Sequence, residues 1–412
     1  MTIMNKEVVI IGGGPAGLAA AVELRKKGIQ EIVILEREKQ LGGILRQCIH
    51  DGFGLTRFKQ TLSGPEYSQR FIDLVKKLHI EYVTDATVIE ITSMKKVIAA
   101  SKDGLLEYRA KAVVLAMGCR ERTRGAISIP GTRPAGIYNA GVAQSYINLH
   151  NTMVGKDVVI LGSGDIGMIM ARRMTLEGAK VKAVFEVQPY PSGLPRNIEQ
   201  CLNDYGIPLY LSHTITKIKG NARLEGITVS QVDENMNPII GTEKDYDCDT
   251  LILSVGLIPE NELSLACGVK LDSRTKGAIV DENYQTSVAG VFAAGNVLQV
   301  HDLLDFVSLE AEGLADSVAE YIQQGELTDC PIDIVTDNAI SHTIPQKISG
   351  KKDFTLSLRV RKPFKNCHID VMQSDTVIRT VLLKKAIPAQ MIQVKLKETD
   401  IKTLDNIKVV VR

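Results

Sequence analysis

Apolar residues follow two rhythms along this chain. Up to about residue 300 they come as short unbroken runs: Val8 to Ile11, AVVLAMG at 112–118, VVIL at 158–161, LILSVG at 251–256 and VFAAGN at 291–296. Such runs suit strands buried on both faces of a parallel sheet. Residues 81–100 and 104–117 alternate or run apolar, and predict further short strands. After Cys330 the rhythm changes. Phe354, Leu356, Leu358 and Val360 alternate with polar residues, and MIQVKLKE (391–398) and IKVVVR (407–412) predict more strands, in a separate small β domain. An amphipathic stretch from near Asp302 to about Ile322 predicts a long helix, with Asp302 as its N-cap and Asp305 in its first turn. Residues 40–58, QLGGILRQCIHDGFGLTRF, fit neither rhythm and predict a loop lying close to something.

The first apolar run opens a unit that occurs twice. After Val8–Ile11 come Gly12, Gly14 and Gly17, spaced G-x-G-x-x-G around Pro15 and Ala16, at the mouth of a helix. Gly12 allows a tight turn, Gly14 lets the backbone approach a pyrophosphate, and Gly17 lets the helix pack on the strand. The helix N-terminus adds free N–H groups and partial positive charge. Lys26, Lys27 and Gly28 stop the helix, and the next strand ends at Glu36, whose carboxylate suits ribose hydroxyls.

The second copy reads Gly162, Ser163, Gly164, Asp165, Ile166, Gly167, then Gly178 and Glu186. First glycine to helix-stopping glycine is 16 residues in both copies, and first glycine to acid is 24 in both. Each copy later closes with a buried strand ending in glycine, Gly118 and Gly256. This agreement predicts an α/β protein with two Rossmann-like dinucleotide-binding domains.

Composition narrows the class without naming a ligand. A length of 412 residues, 44% hydrophobic and 24% charged, fits two or three ordinary globular domains. A net charge of +1 gives no general attraction to nucleic acid or anionic membrane, and no apolar run reaches the roughly 20 residues of a membrane helix. The start of the chain has no signal or transit character, and seven cysteines without a C-x-x-C suggest reduced thiols, so a cytoplasmic protein with no metal site is expected. Charge is uneven: residues 331–412 carry +7 and the remainder −6.

The paired fingerprints, the AMG and SVG strand ends and VFAAGN with its helix resemble the two-dinucleotide-binding-domain flavoproteins, the glutathione-reductase and thioredoxin-reductase superfamily, over residues 1–323. GGILRQCIHDGFG, GPEYSQRF, AMGCRER, GNVLQVHDLLDFVSLE and the basic tail look like one subfamily, the subunits found beside glycerol-3-phosphate dehydrogenase-like flavoproteins and related to those of opine, proline and hydroxyproline dehydrogenases and hydrogen cyanide synthase. The resemblance implies an FAD domain (1–122 and 277–330) with an inserted NAD(P) domain (123–276), followed by a C-terminal all-β domain (331–412). It implies FAD at Gly12, Gly14, Pro15, Ala16, Gly17, Glu36, Gly43, Gly118, Gly295, Asn296, His301, Asp302 and Leu303. It implies NAD at Gly162, Ser163, Gly164, Asp165, Ile166, Gly167, Glu186 and Gly256. Two departures stand out. The redox-active cysteine pair of the disulfide reductases has no counterpart, since Leu45 and His50 occupy its positions and Cys48 falls between them. Asn296 replaces an aspartate that contacts the ribityl chain.

Hydride exchange between nicotinamide and flavin leaves little acid–base work to the protein. The helix near Asp302 either stabilises reduced flavin through its N-terminus or merely packs on the domain surface. Cys48 and His50 are the candidate catalytic residues: they either handle protons and electrons beside the flavin or only shape its pocket. A carboxylate at Glu186 suits a free 2′-hydroxyl, which favours NAD(H) over NADP(H). The resulting expectation is an FAD-dependent oxidoreductase subunit that passes electrons between NAD(H) and a metabolite-oxidising flavoprotein partner. A free-standing NADH dehydrogenase or diaphorase-like enzyme and a non-catalytic nucleotide-binding subunit are the alternatives.

Overall fold

The computed structural model describes residues 2–412. The chain divides into two compact units, 1–119 with 259–412, and 120–258.

The first unit is built on β1 (Thr2–Ile11), which leads through the glycine turn into α1 (Pro15–Lys26) and β2 (Ile32–Leu35). Then come α2 (Gly64–Lys77), β3 (Glu81–Val83), β4 (Ala86–Ile91), β5 (Lys96–Ser101) and β6 (Gly104–Leu115). The sheet runs β3-β2-β1-β6-β5-β4, with β1, β2, β3 and β6 mutually parallel. The unbroken apolar runs are explained by its two covered faces. Val8 and Ile10 join one core, beneath α1 and α2, while Val9 and Ile11 join another with Val88, Val97 and Ala99 of the antiparallel strands. Each such buried aliphatic side chain contributes roughly 1.5–3 kcal/mol.

The chain leaves this unit through β7 (Cys119–Glu121). The second unit contains β8 (Ile137–Asn139), α3 (Ala140–His150), β9 (Asp157–Leu161), α4 (Asp165–Leu176), β10 (Lys180–Glu186), α5 (Pro195–Cys201), β11 (Leu209–Leu211) and β12 (His213–Lys219). It ends with β13 (Gly226–Gln231), β14 (Lys244–Asp247) and β15 (Thr250–Leu253). Its main sheet is all parallel, in the order β11-β10-β9-β15-β8, and β12-β13-β14 form a second, antiparallel sheet. Val158 and Ile160 face one core and Val159 and Leu161 the other, as in β1.

The chain returns through β16 (Leu257–Pro259) to α6 (Glu262–Ala266), β17 (Val291–Ala293) and α7 (Leu304–Gln324). β17 pairs with β6 over Val291↔Val113 to Ala293↔Leu115, on the edge whose earlier half holds β5. α7 begins later than expected, with Leu303 at the cap position and no side-chain cap. Asp302 is therefore not the N-cap. Its Oδ2 accepts the N–H of Met391 at 3.2 Å and its Oδ1 lies 3.7 Å from Arg359, so distant partners outbid the local cap. Asp305 does lie in the first turn.

Residues 332–411 form β18 (Ile332–Thr336), β19 (Ile340–Ile344), β20 (Lys347–Ile348), β21 (Phe354–Val360), β22 (Phe364–Gln373), β23 (Thr376–Ala386), β24 (Ile392–Leu396) and β25 (Ile407–Val411). Two sheets, β20-β18-β25-β22-β23 and β19-β21-β24, share an apolar core that includes Leu356, Leu358, Ile369 and Val409. Arg359 donates to Val300 O at 2.9 Å and Ser349 to the Glu282 carboxylate, which fasten this part to the loops before α7.

Candidate functional site

The first glycine turn is shaped by close approaches. Gly12 has φ +107°, and a Cβ there would sit 2.3 Å from Ala116 O; one on Gly17 would sit 1.9 Å from Gly12 O. Gly14 differs: its nearest obstacle is Gly43 Cα at 3.9 Å, so the chain's own packing leaves space over this backbone. Gly14 is also the N-cap of α1, and no side chain caps that helix. Open backbone at an uncapped N-terminus fits the pyrophosphate of a dinucleotide. Glu36 is buried, its Oε2 accepting Gly13 N–H at 2.7 Å and its Oε1 accepting Glu38 N–H at 2.8 Å.

Other predicted residues gather round this turn. Gly42 N–H donates to Gly13 O at 2.8 Å, and a Cβ on Gly43 would come within 3.0 Å of Gly14 Cα. Gly295 approaches the first turn of α1, since its Cβ would lie 2.9 Å from Ala16 Cβ. Asn296 bridges the group: its Nδ2 donates to Cys119 Sγ at 3.6 Å, beside Gly118, and its Oδ1 accepts His301 N–H at 3.1 Å. Glu310, buried in α7, holds this bend in place. It accepts Gly295 N–H at 2.7 Å and Gln299 Nε2 at 2.7 Å, and stands 3.2 Å from His301 Nε2.

The glycine-rich stretch at 40–58 is gripped by α7. Asp305 accepts the N–H groups of Gly54 and Thr56, Glu312 takes the Arg57 guanidinium at 2.7–3.0 Å, and Ser308 receives the Tyr67 hydroxyl at 2.9 Å. Within it, Gly43–Gln47 is a 3₁₀ turn. Burial pushes the Cys48 thiol up to about 12, and its Sγ points to Ile44 O at 3.4 Å. His50 Nδ1 lies 3.1 Å from Asp51 O and its ring tilts against Phe53. A thiol held that high carries almost no thiolate at neutral pH.

The second turn repeats the wiring of the first. Gly164 is the N-cap of α4 without a side-chain cap, and Glu186 accepts Ser163 N–H at 2.9 Å and Gln188 N–H at 3.0 Å, as Glu36 accepts Gly13 and Glu38. Asp165 Oδ1 takes Leu194 N–H at 2.8 Å and Asn197 Nδ2 at 2.6 Å, while Ile166 is half-buried beside it. Ser254, just before Gly256, accepts Gly167 N–H at 3.0 Å.

Residues 6–324, which include both turns, match the family model for pyridine nucleotide-disulphide oxidoreductase. The chain belongs to the pyridine nucleotide-disulphide oxidoreductase family. This family uses FAD and NAD(P)H. An opine oxidase subunit of Agrobacterium tumefaciens is 27% identical over 312 residues, 70% of this chain and 61% of its own length. The hydrogen cyanide synthase subunit HcnB of Pseudomonas protegens is 24% identical over 325 residues, 72% of this chain and 65% of its own. The chain therefore spans less than two thirds of the length of these relatives. The crystal structure of T. acidophilum thioredoxin reductase superposes with a TM-score of 0.63 and 25% identity, over 77% of this chain and 98% of that one. No helix among the described residues is long and apolar enough to cross a membrane, and none of their side chains form a metal-binding group.

Asp305, Glu310, Glu312 and Ser254 are not legible as site residues in the sequence. Their partners lie 9 to 255 positions away, and only the acids' recurrence on one helix hints at them.

Proposed function

We propose that this chain is an FAD-dependent oxidoreductase subunit that moves hydride between NAD(H) and a flavoprotein partner oxidising a small metabolite. The observation that carries the reading is the identical acid-to-turn wiring of Glu36 and Glu186, in two units each built for one dinucleotide. When bound, the flavin and nicotinamide supply the redox chemistry themselves. The chain's part is to hold and orient. Gly12, Gly14, Pro15, Ala16 and Gly17 would seat the FAD pyrophosphate, with Glu36 on the ribose and Gly43 and Gly118 closing the cleft. Gly295, Asn296 and the uncapped turn at His301, Asp302 and Leu303 would face the flavin, placing α7's N–H groups where negative charge develops.

In the other unit Gly162, Ser163, Gly164, Asp165, Ile166 and Gly167 would take NAD(H), with Gly256 at the strand end. Glu186 favours a free 2′-hydroxyl over a 2′-phosphate. Cys48 and His50 shape the pocket, since a thiol near 12 is a poor nucleophile and the sequence offers no C-x-x-C. The domain limits 1–122, 123–276, 277–330 and 331–412 and a cytoplasmic setting belong to the same reading. The partner is supported by the word subunit in both relatives' names and by the +7 charge of residues 331–412.

The purified chain should be yellow with about one FAD, and NADH should bleach it anaerobically faster than NADPH. Metabolite-dependent NAD reduction should require the flavoprotein that co-purifies with it from the native host. A colourless chain with intact fold, or metabolite oxidation by the chain alone, would sink the proposal.

A further inference from the structure

A carboxylate offers about four acceptor positions. Among the described residues Glu36 gives two of them to Gly13 and Glu38, which leaves two for the vicinal hydroxyls of a ribose. Glu186 has the same two donors in Ser163 N–H and Gln188 N–H, but two hydroxyls are added. Ser163 Oγ donates at 2.6 Å and Ser192 Oγ at 2.7 Å, both to Oε2. Oε2 thus carries three donors and Oε1 only the Gln188 N–H, which leaves at most one open position for a diol that needs two, and Glu186 is only 3% exposed.

Ser163 is part of the glycine turn, fully buried, and cannot leave. Ser192 is different. It is an exposed residue in an irregular segment, residues 187–194, between β10 and α5. The segment is drawn over the turn by two further bonds, Ser192 N–H to Ser163 Oγ at 2.8 Å and Leu194 N–H to Asp165 Oδ1, and α5 adds a third, Asn197 Nδ2 to the same Asp165 Oδ1. The approach is tight enough that a Cβ on Gly193 would lie 2.8 Å from Asp165 Oδ1 and 2.9 Å from Ser163 O.

We propose that Ser192 is a specificity-determining residue of the second nucleotide site: its hydroxyl holds the place of a ribose hydroxyl on Glu186, and a ligand with a free 2′,3′-diol must displace it. The inference rests on the reading that Glu186 selects the nucleotide ribose. It adds that recognition is an exchange, in which one Ser192 hydrogen bond is given up for those of the diol, so the intrinsic preference for a free 2′-hydroxyl is partly masked. A 2′-phosphate gains nothing from the exchange, because two anions cannot share that hydrogen bond.

The test is calorimetric binding of ADP-ribose and of 2′-phospho-ADP-ribose to the flavin-loaded full chain, in wild type, Ser192→Ala and Glu186→Ala. Ser192→Ala should bind ADP-ribose about three- to tenfold tighter, the worth of one released hydrogen bond, with no gain for the 2′-phosphorylated ligand. Glu186→Ala should lose affinity for ADP-ribose. Unchanged or weaker ADP-ribose binding in Ser192→Ala, with Glu186→Ala still impaired, would overturn the role of Ser192 and leave the reading of Glu186 standing. Equal tightening for both ligands would also overturn it, as a general loosening of the segment. Undiminished binding by Glu186→Ala would overturn both.

Discussion

Asp305 in α7 accepts the backbone N–H of Thr56 at 2.6 Å, across 249 residues of sequence. The same carboxylate accepts Gly54 N–H at 3.0 Å, and it is 5% exposed. One buried side chain thus holds two backbone groups of a glycine-rich loop that has no periodic packing of its own. Asp305→Ala should lower stability by about 2–4 kcal/mol, since bonds to a charged group are at the strong end of the range and two N–H groups lose their acceptor. Asp305→Asn keeps one acceptor oxygen and should fall between. Chemical denaturation of the three proteins checks the order.

The glycines of the first turn should separate by purpose. A side chain at Gly14 meets open space, whereas one at Gly17 drives into Gly12 O. Gly14→Leu should therefore fold, with a melting temperature within a few degrees of flavin-stripped wild type, yet purify without flavin. Gly17→Val should fail to fold. Circular dichroism with the visible absorbance of each preparation decides; a yellow Gly14→Leu would remove the turn from the FAD site.

Cys48 should prove dispensable for chemistry. Its thiol is pushed up to about 12 by burial, so Cys48→Ser should keep NADH-to-dye turnover within about threefold of wild type. A loss of a hundredfold with flavin retained would show that the sulfur takes part in the reaction.

His342 should make the fold acid-sensitive. Burial, with Arg359 next, lowers it from its ordinary 6.5 to about 4. The unfolded chain then binds the proton more readily than the folded one, so stability is full above about pH 6.5 and is lost as pH falls towards 4. This one group contributes on the order of 1–3 kcal/mol to that loss. His342→Gln should flatten the fall in denaturation midpoint over that window; an unchanged slope would mean that other groups carry it.

The two glycine turns are readable in the sequence because everything they need is local. Strand, glycines, helix stop and acid sit within one stretch, and the same physics writes them twice. The start of α2 is equally local but set close behind a glycine-rich region that hides it: Ser63 caps the helix and Glu66 closes a capping box. Asp302 misleads for the opposite reason. Its sequence position suits a cap, but Met391 and Arg359 reach it from 89 and 57 residues away. Ser254 acts on Gly167, 87 positions away, and the bonds of Glu310 to His301 and of Ser192 to Glu186 each have one end in an irregular segment without a repeating pattern, so residue type alone does not mark them.

The edge of β6 carries a consequence for how the chain is made. Val113 pairs with Val291, and Ala294 N–H closes on Leu115 O, with all of residues 116–290 between. On a ribosome the parallel sheet of the first unit must wait, one strand short, until that intervening segment has emerged. Were the segment still a random coil, joining its ends would oppose folding by roughly 4–5 kcal/mol from loop length alone. Residues 120–258 have cores of their own, and once collapsed they draw their ends together ahead of β17. The segment inserted at 120–258 is in this sense a folding aid to the halves that flank it, and a slow-folding variant of it should trap β6 with an open strand edge.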